Sequence, residues 1–209
     1  FSAGLDMGTG ATFTSAGSND VFVAKLAPNG DPVAVVVDGD ADSQTPQKVA
    51  VDADGMVYVA GALSGSLAFP GAPLLSVPAG VPQRIFLVKF DPSLNAVDAV
   101  QSAGLGSHSV FDLVVGTQGN PILAGSFDNS LTYGGPAITS VGSDDIFVVK
   151  LAPDGSHLWS VSFGDDNDQS VRAVTVGGDG TVFVAGSFSG TLNFGSQGDE
   201  LVADGEDIF

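Results

Sequence analysis

The ten residues Val21–Gly30, VFVAKLAPNG, decide how this chain reads, because they come back. They return as IFLVKFDPSL at 85–94 and as IFVVKLAPDG at 146–155, and they begin again at Ile208-Phe209. Lys25, Lys89 and Lys150 mark the copies, 64 and 61 residues apart. A second segment keeps the same phase: GMVYVAGALSGSLAF at 55–69, GNPILAGSFDNSLTY at 119–133 and GTVFVAGSFSGTLNF at 180–194. Its glycines, Gly61, Gly125 and Gly186, repeat the 64 and 61 spacing. FSAGLDMG at 1–8 matches FSGTLNFG at 188–195, so residue 1 falls inside a repeat. Self-similarity at a fixed period of this size is the mark of a repeat architecture.

Each period of about 62 residues reads as strands and tight turns. In the copy at 146–209, IFVVKLA, a Pro-Asp-Gly turn and HLWSVSF precede an Asp-rich loop, GDDNDQS. VRAVTV, a Gly-Asp-Gly turn and TVFVAGSF follow, and a shorter pair, TLNFG and ELVA, closes the copy. Val, Ile and Phe fill the runs while Gly, Asp, Asn and Pro separate them, which is the strand-and-turn pattern. Of 24 acidic residues only Glu200 and Glu206 are glutamate. Aspartate bonds its own backbone in turns whereas glutamate favours helix, so composition agrees. No stretch holds a 3.6-residue period, which predicts an almost helix-free chain.

The expected fold is therefore all-β: four principal antiparallel strands per repeat, with an excursion of about 20 residues between the second and third. Four such strands make a β-propeller blade, and a β-solenoid is the competing repeat fold. As one repeat array over 1–209, the reading places a partial blade at 1–45, blades at 46–108 and 109–169, and a partial blade at 170–209. That amounts to an incomplete arc, so the chain is expected to be a segment of a longer propeller, or to complete a ring by self-association.

VAVDADGMVYVAG at 49–61 and DIFVVKLAPDGSHLWSVSFGDD at 145–166 resemble the bacterial β-propeller repeat called SBBP, and the likeness runs over essentially the whole chain. The resemblance implies a propeller in a secreted or cell-surface bacterial protein, with no single activity. The middle copy departs most. Gly116-Thr117-Gln118 replaces Asp52-Ala53-Asp54, and Gly104-Leu105-Gly106 replaces the acidic loop.

A net charge of −18 with six cations argues against nucleic acid or an anionic membrane surface as a partner. Without cysteine there is no disulfide scaffold, thiol nucleophile or cysteine metal site. No apolar run approaches the roughly 20 residues of a membrane helix, so membrane insertion is not expected. No basic-then-apolar leader opens the sequence, and location rests on the resemblance and the acidic surface.

The acidic loops are the candidate cofactor sites. Asp38, Asp40 and Asp42 alternate in DGDADS, and DDNDQS supplies Asp165, Asp166 and Asp168. Alternate carboxylates and carbonyls can converge on Ca²⁺, which takes six to eight oxygens. EF-hand spacing fails, since the twelfth position from Asp38 is Val49, and the middle loop GLGSHS has no acid. The same residues also suit solvated turns in which Asp and Ser cap backbone donors. Lys25, Lys89 and Lys150 alternate onto the face of Val21 and Val23; their repetition favours a structural role, each reaching an aspartate at a neighbouring edge. Phe22, Phe86, Phe147 and Phe209 read as packing, and Gly61, Gly125 and Gly186 as close backbone approach. His108 and His157 lack ligand spacing and read as surface polar residues. Trp159 has Ala34 and Asp98 as its counterparts, so no repeated aromatic sugar site emerges.

These readings lead to a non-catalytic extracellular or cell-surface scaffold whose loops contact protein or glycan. The alternatives are a calcium-dependent, lectin-like carbohydrate-binding propeller and a polysaccharide hydrolase or lyase.

Overall fold

The structure is a computed structural model describing residues 1–8, 10–195 and 200–209. The described residues contain strands and turns and no helix. They form two compact units, Phe1–Gln101 and Ser102–Phe209.

The first unit contains β1 (Gly4–Asp6), β2 (Thr12–Thr14), β3 (Val21–Leu26), β4 (Pro32–Asp38) and β5 (Gln44–Val51). It continues with β6 (Val57–Leu63), β7 (Gly65–Leu67), β8 (Leu75–Val77), β9 (Arg84–Phe90) and β10 (Ala96–Gln101). Strands β5, β6, β9 and β10 pair in chain order as one antiparallel four-stranded sheet, while β3 and β4 pair as a two-stranded sheet. The expected excursion between second and third strands is the small hairpin β7–β8, and β1–β2 is its counterpart ahead of β3. The core lies between the sheets. Val21 and Val23, with Ala34 and Val36 beside them, pack against Val59, Phe86, Val88 and Phe90. Phe86, Val88 and Phe90 are each at most 1% exposed, and complete burial of such side chains is worth about 1.5–3 kcal/mol apiece.

In the second unit, β11 (His108–Val115), β12 (Pro121–Phe127), β15 (Asp145–Leu151) and β16 (His157–Phe163) repeat the four-stranded order. The excursion is the two-residue pair β13 (Ser130–Leu131) and β14 (Ile138–Thr139). A three-stranded sheet follows, built from β17 (Gln169–Val176), β18 (Val182–Leu192) and β19 (Leu201–Ile208). Here the short pair read at TLNFG and ELVA does not stand apart. Its strands are the end of β18 and the start of β19, with a register shift between Ser189 and Thr191 at Gly190, whose φ is +73°. Ile122, Ala124, Ile146 and Val148 pack face to face with Val171, Val174 and Phe188.

The copies agree in detail. Each first strand carries a β-bulge at the same place, at Gln47, Phe111 and Arg172, just after the residue paired with Gly61, Gly125 or Gly186. Those glycines sit where a Cβ would collide with the facing backbone carbonyls of Thr45, Ser109 and Ser170, the close approach expected from sequence. Edge-to-face rings recur at Phe1–Phe22, Phe127–Phe147 and Phe188–Phe209, all with centroids 6.3 Å apart. Phe22 is 37% exposed while Phe86 and Phe147 are buried, because among the described residues β3 has β4 on one side and no second strand on the other. The turn at 91–95 differs in using Leu94 at φ +64°, where the other copies place Gly30 and Gly155. Burial of Leu94 in the core offsets that left-handed backbone.

Candidate functional site: the acidic loop ends

The acidic loops sit where a fourth strand hands over to the next first strand, and each is held by a buried side chain that opens that strand. Gln44 is fully buried at the start of β5. Its Nε2 donates to the Ser64 carbonyl at 2.7 Å and to Asp40 Oδ1 at 2.7 Å, and its Oε1 accepts from Asp40 N–H at 3.2 Å. Gln169, at the start of β17, repeats the set with Ser189 O at 3.1 Å, Asp165 Oδ1 at 2.7 Å and Asp165 N–H at 3.1 Å. In the middle copy the position is His108. Its Nε2 donates to the Ser130 carbonyl at 2.9 Å, and its Nδ1 lies 2.8 Å from Ser102 Oγ. A ring nitrogen facing a carbonyl must carry the proton, so Nε2 is the donor, while Nδ1 and the Ser102 hydroxyl hold the other side of the ring. His108 is therefore a buried anchor and not the surface residue expected from sequence.

The six candidate calcium ligands separate into different roles. Asp40 bonds the Ser66 backbone N–H at 2.7 Å and the Ser66 hydroxyl at 2.6 Å, and accepts from Asp42 N–H at 3.0 Å. Asp165 likewise accepts from Thr191 N–H at 2.7 Å and Asn167 N–H at 2.8 Å. Desolvation works against ionisation at both, but these hydrogen bonds outweigh it and hold both carboxyls below their ordinary range. Asp38 accepts from Ala68 N–H; burial, then the charges of Asp20 and Asp40, push its carboxyl up against two backbone bonds. Asp42, Asp166 and Asp168 are exposed. Among the described residues no three His, Cys, Asp or Glu side chains gather in a metal-holding group.

Two further carboxylates were not singled out in the sequence. Asp20 and Asp145, 4% and 2% exposed, occupy one repeat position, with Arg84 between them in the middle copy. Their Oδ2 atoms accept from Ala16 N–H at 2.6 Å and Val141 N–H at 2.8 Å. Their Oδ1 atoms have no hydrogen-bond partner among the described residues. Each carboxylate lies against a glycine, Gly39 or Gly164, at a spot also bordered by Gln44 or Gln169 Oε1, so any Cβ there would strike both groups. Burial pushes Asp145 up to about 6; the Val141 N–H opposes that, and the charges of Asp165 and Asp144 add to it. Asp144 is itself raised by burial, then by Asp128 and Asp168. The signal was in the spacing: Asp20, Arg84 and Asp145, like Gln44, His108 and Gln169, stand 64 and 61 residues apart.

At the opposite strand ends lie the lysines. Lys25 Nζ donates to the Pro92 carbonyl at 2.9 Å, a backbone oxygen in the neighbouring sheet's turn rather than the aspartate expected. Lys89 lies over the Tyr58 ring at 5.4 Å. Lys150 borders a polar cavity of about 330 Å³ with Gln118, Asn120 and Asp179. His157 and His108 open β16 and β11, the two outer strands of one sheet, at opposite ends, so they build no common site. Trp159 lines an apolar cavity of about 340 Å³ with Val148, Val161, Phe163, Val182, Val184 and Phe194. No family model matches the chain, and no curated protein matches it.

Proposed function

We propose that the chain is a non-catalytic scaffold of β-propeller type, bacterial and extracellular or cell-surface, whose loop ends contact protein or glycan. One observation carries the reading. The buried anchor Gln44, His108 or Gln169 fixes every loop base to a hairpin carbonyl, while the tips it presents differ from copy to copy. Leu105 is 64% exposed on the middle tip, and Asp42, Asp166 and Asp168 are exposed on the others. Rigid bases with variable tips are how a scaffold carries recognition. Four-stranded sheets in chain order, packed by their faces against neighbouring sheets, support the propeller architecture. The SBBP resemblance supports the bacterial, exported setting, and further repeats of a longer chain would be the natural neighbours of such an array.

A second reading is a calcium-dependent carbohydrate-binding module. It is favoured by the exposed carboxylates of Asp42, Asp166 and Asp168 at the loop tips, where like charges stand close in sequence and a divalent cation would relieve their repulsion. A glycan array and a panel of immobilised surface proteins, each with and without EDTA, separate the readings. Binding lost in Leu105→Asp and Asp166→Asn/Asp168→Asn variants, but kept in EDTA, supports the scaffold. Binding abolished by EDTA supports the calcium lectin. Turnover of polysaccharide probes supports a hydrolase or lyase, and no binding at any tip overturns the loop-end reading.

A further inference from the structure

Two buried carboxylates each present an oxygen that nothing answers, and we infer that each holds a hard divalent cation, Ca²⁺ by its chemistry, against the side-chain oxygen of a buried glutamine. The sites are Asp20 with Gln44 in the first unit and Asp145 with Gln169 in the second. Asp20 and Asp145 are 4% and 2% exposed, and Oδ1 of each has no hydrogen-bond partner among the described residues. The glutamines cannot turn to help. Their Nε2 atoms are committed to the Ser64 or Ser189 carbonyl and to Asp40 or Asp165 Oδ1, which fixes Oε1 on the other side. A carboxylate and an amide oxygen only accept, so at each site two acceptors meet with no donor between them.

Glycine keeps the space beside them open. A Cβ on Gly164 would strike Asp145 Oδ1 and Gln169 Oε1 together, and one on Gly39 would lie 2.6 Å from Asp20 Oδ1 and 2.7 Å from Gln44 Oε1. The facing oxygens therefore stand within about 5 Å of each other, a gap that one Ca²⁺ spans at about 2.3–2.6 Å per oxygen. Gly39 and Gly164 are half-buried, so water can complete the shell from the outer side. Such an ion would staple β15 to the anchor that opens β17, and the start of β3 to the anchor that opens β5.

A water molecule could donate to both oxygens, but it would leave the charge unanswered, and the middle copy points to charge. There Arg84, 6% exposed, stands at the position of Asp20 and Asp145. Ala103 replaces the glycine, His108 the glutamine, and Gly104 the acid Asp40 or Asp165. The copy that carries its own buried cation has exchanged all four groups of the site. Further acids favour a doubly charged ion over Na⁺ or K⁺: Asp145 feels the charges of Asp165 and Asp144, and Asp38 those of Asp20 and Asp40. Mg²⁺ demands a near-ideal octahedron, whereas Ca²⁺ accepts the flexible, water-completed shell that two protein oxygens allow. None of these groups lies at a loop tip, so the inference is independent of the scaffold and lectin readings.

Equilibrium dialysis of the full chain against ⁴⁵Ca²⁺ at pH 7.5 counts the sites, in 0.15 M KCl to screen diffuse attraction to the acidic surface. The parent should bind two ions per chain with Kd of about 0.1–1 mM, the range of low-charge extracellular calcium sites. Asp20→Asn and Asp145→Asn should each bind one, and the double variant none. The tip variant Asp42→Asn/Asp166→Asn/Asp168→Asn should still bind two. In thermal melts, 10 mM CaCl₂ should raise the parent by several degrees and leave the double variant unmoved. In EDTA, where no ion answers the carboxylate, Asp145→Asn should melt above the parent, so its lost calcium is not a lost fold. No binding by the parent up to 10 mM, or binding undiminished in the double variant, overturns the inference. Calcium lost only with the tip residues overturns it too, and moves the ion to the lectin reading. Neither readout uses a loop-tip ligand, so failure here leaves the scaffold reading standing.

Discussion

Replacing Asp145 by asparagine should stabilise the protein at neutral pH and leave it unchanged in acid. The carboxyl is 2% exposed, with Oδ1 unpaired, and its pKa stands at about 6 against an ordinary 3.8. A carboxyl raised on folding binds its proton more tightly in the native state. Its contribution is therefore fully favourable below about pH 4 and is lost as pH rises towards 6. The displacement from 3.8 to about 6 corresponds to about 3 kcal/mol at 1.36 kcal/mol per pKa unit. Screening by water at the loop end reduces this to about 1–2 kcal/mol. Asparagine keeps an acceptor for the Val141 N–H and turns a donor towards Gln169 Oε1. Thermal melts of both proteins at pH 4 and pH 7.5 isolate the group from all other carboxyls. The variant should melt higher at pH 7.5, by about 2–4 °C per kcal/mol, with the difference closing at pH 4. An equal shift at both pH values, or destabilisation that deepens with pH, would refute the reasoning.

Other expectations follow from the same geometry. His108→Gln should be tolerated to within about 1 kcal/mol, since Gln44 and Gln169 do the same work, whereas His108→Ala should cost about 1–3 kcal/mol in urea titrations by taking the ring donor from the Ser130 carbonyl and emptying a buried position. Gly125→Ala should lower stability by about 3 kcal/mol or more, because its Cβ would meet the Ser109 carbonyl and the Phe147 ring; an unchanged urea midpoint would contradict the close approach. Asp40→Ala should destabilise at pH 7 and lose its effect as pH falls through the lowered pKa of Asp40, read as a shrinking melting difference between variant and parent. Leu94→Gly should be net destabilising by about 1–3 kcal/mol, the lost core side chain outweighing relief of the left-handed backbone.

The strands were largely legible because two faces and tight turns impose a short-range pattern. HLWSVSF at 157–163 is β16 residue for residue, and the repeated glycines mark the bulges that need them. What escaped the sequence depends on partners far along the chain. Gln44 reads as a loop residue until the Ser64 carbonyl, 20 residues away, is placed over it. His108 reads as surface for the same reason, its partner being the carbonyl of Ser130. Asp38, Asp40 and Asp42 alternate as ligands might, yet alternation does not reveal that Asp40 is turned inward to Ser66 while Asp42 faces water. TLNFG reads as a strand of its own, yet Thr191 and Leu192 end β18. Gly65 and Asn129, at the repeat position of Gly190 and with a like positive φ, leave their short strands apart, and nothing in the local sequence marks that difference.

The central claim is that every period of the sequence builds the same antiparallel sheet in the same register. Cross-strand nuclear Overhauser contacts in a labelled sample measure this directly. The account predicts Gly61 opposite Phe86 and Gly125 opposite Phe147, with the first strand bulged at Gln47, Phe111 and Arg172 alike. A one-residue slip turns a strand's core face to solvent, so unlike registers at these positions, or a missing bulge in any copy, would contradict it.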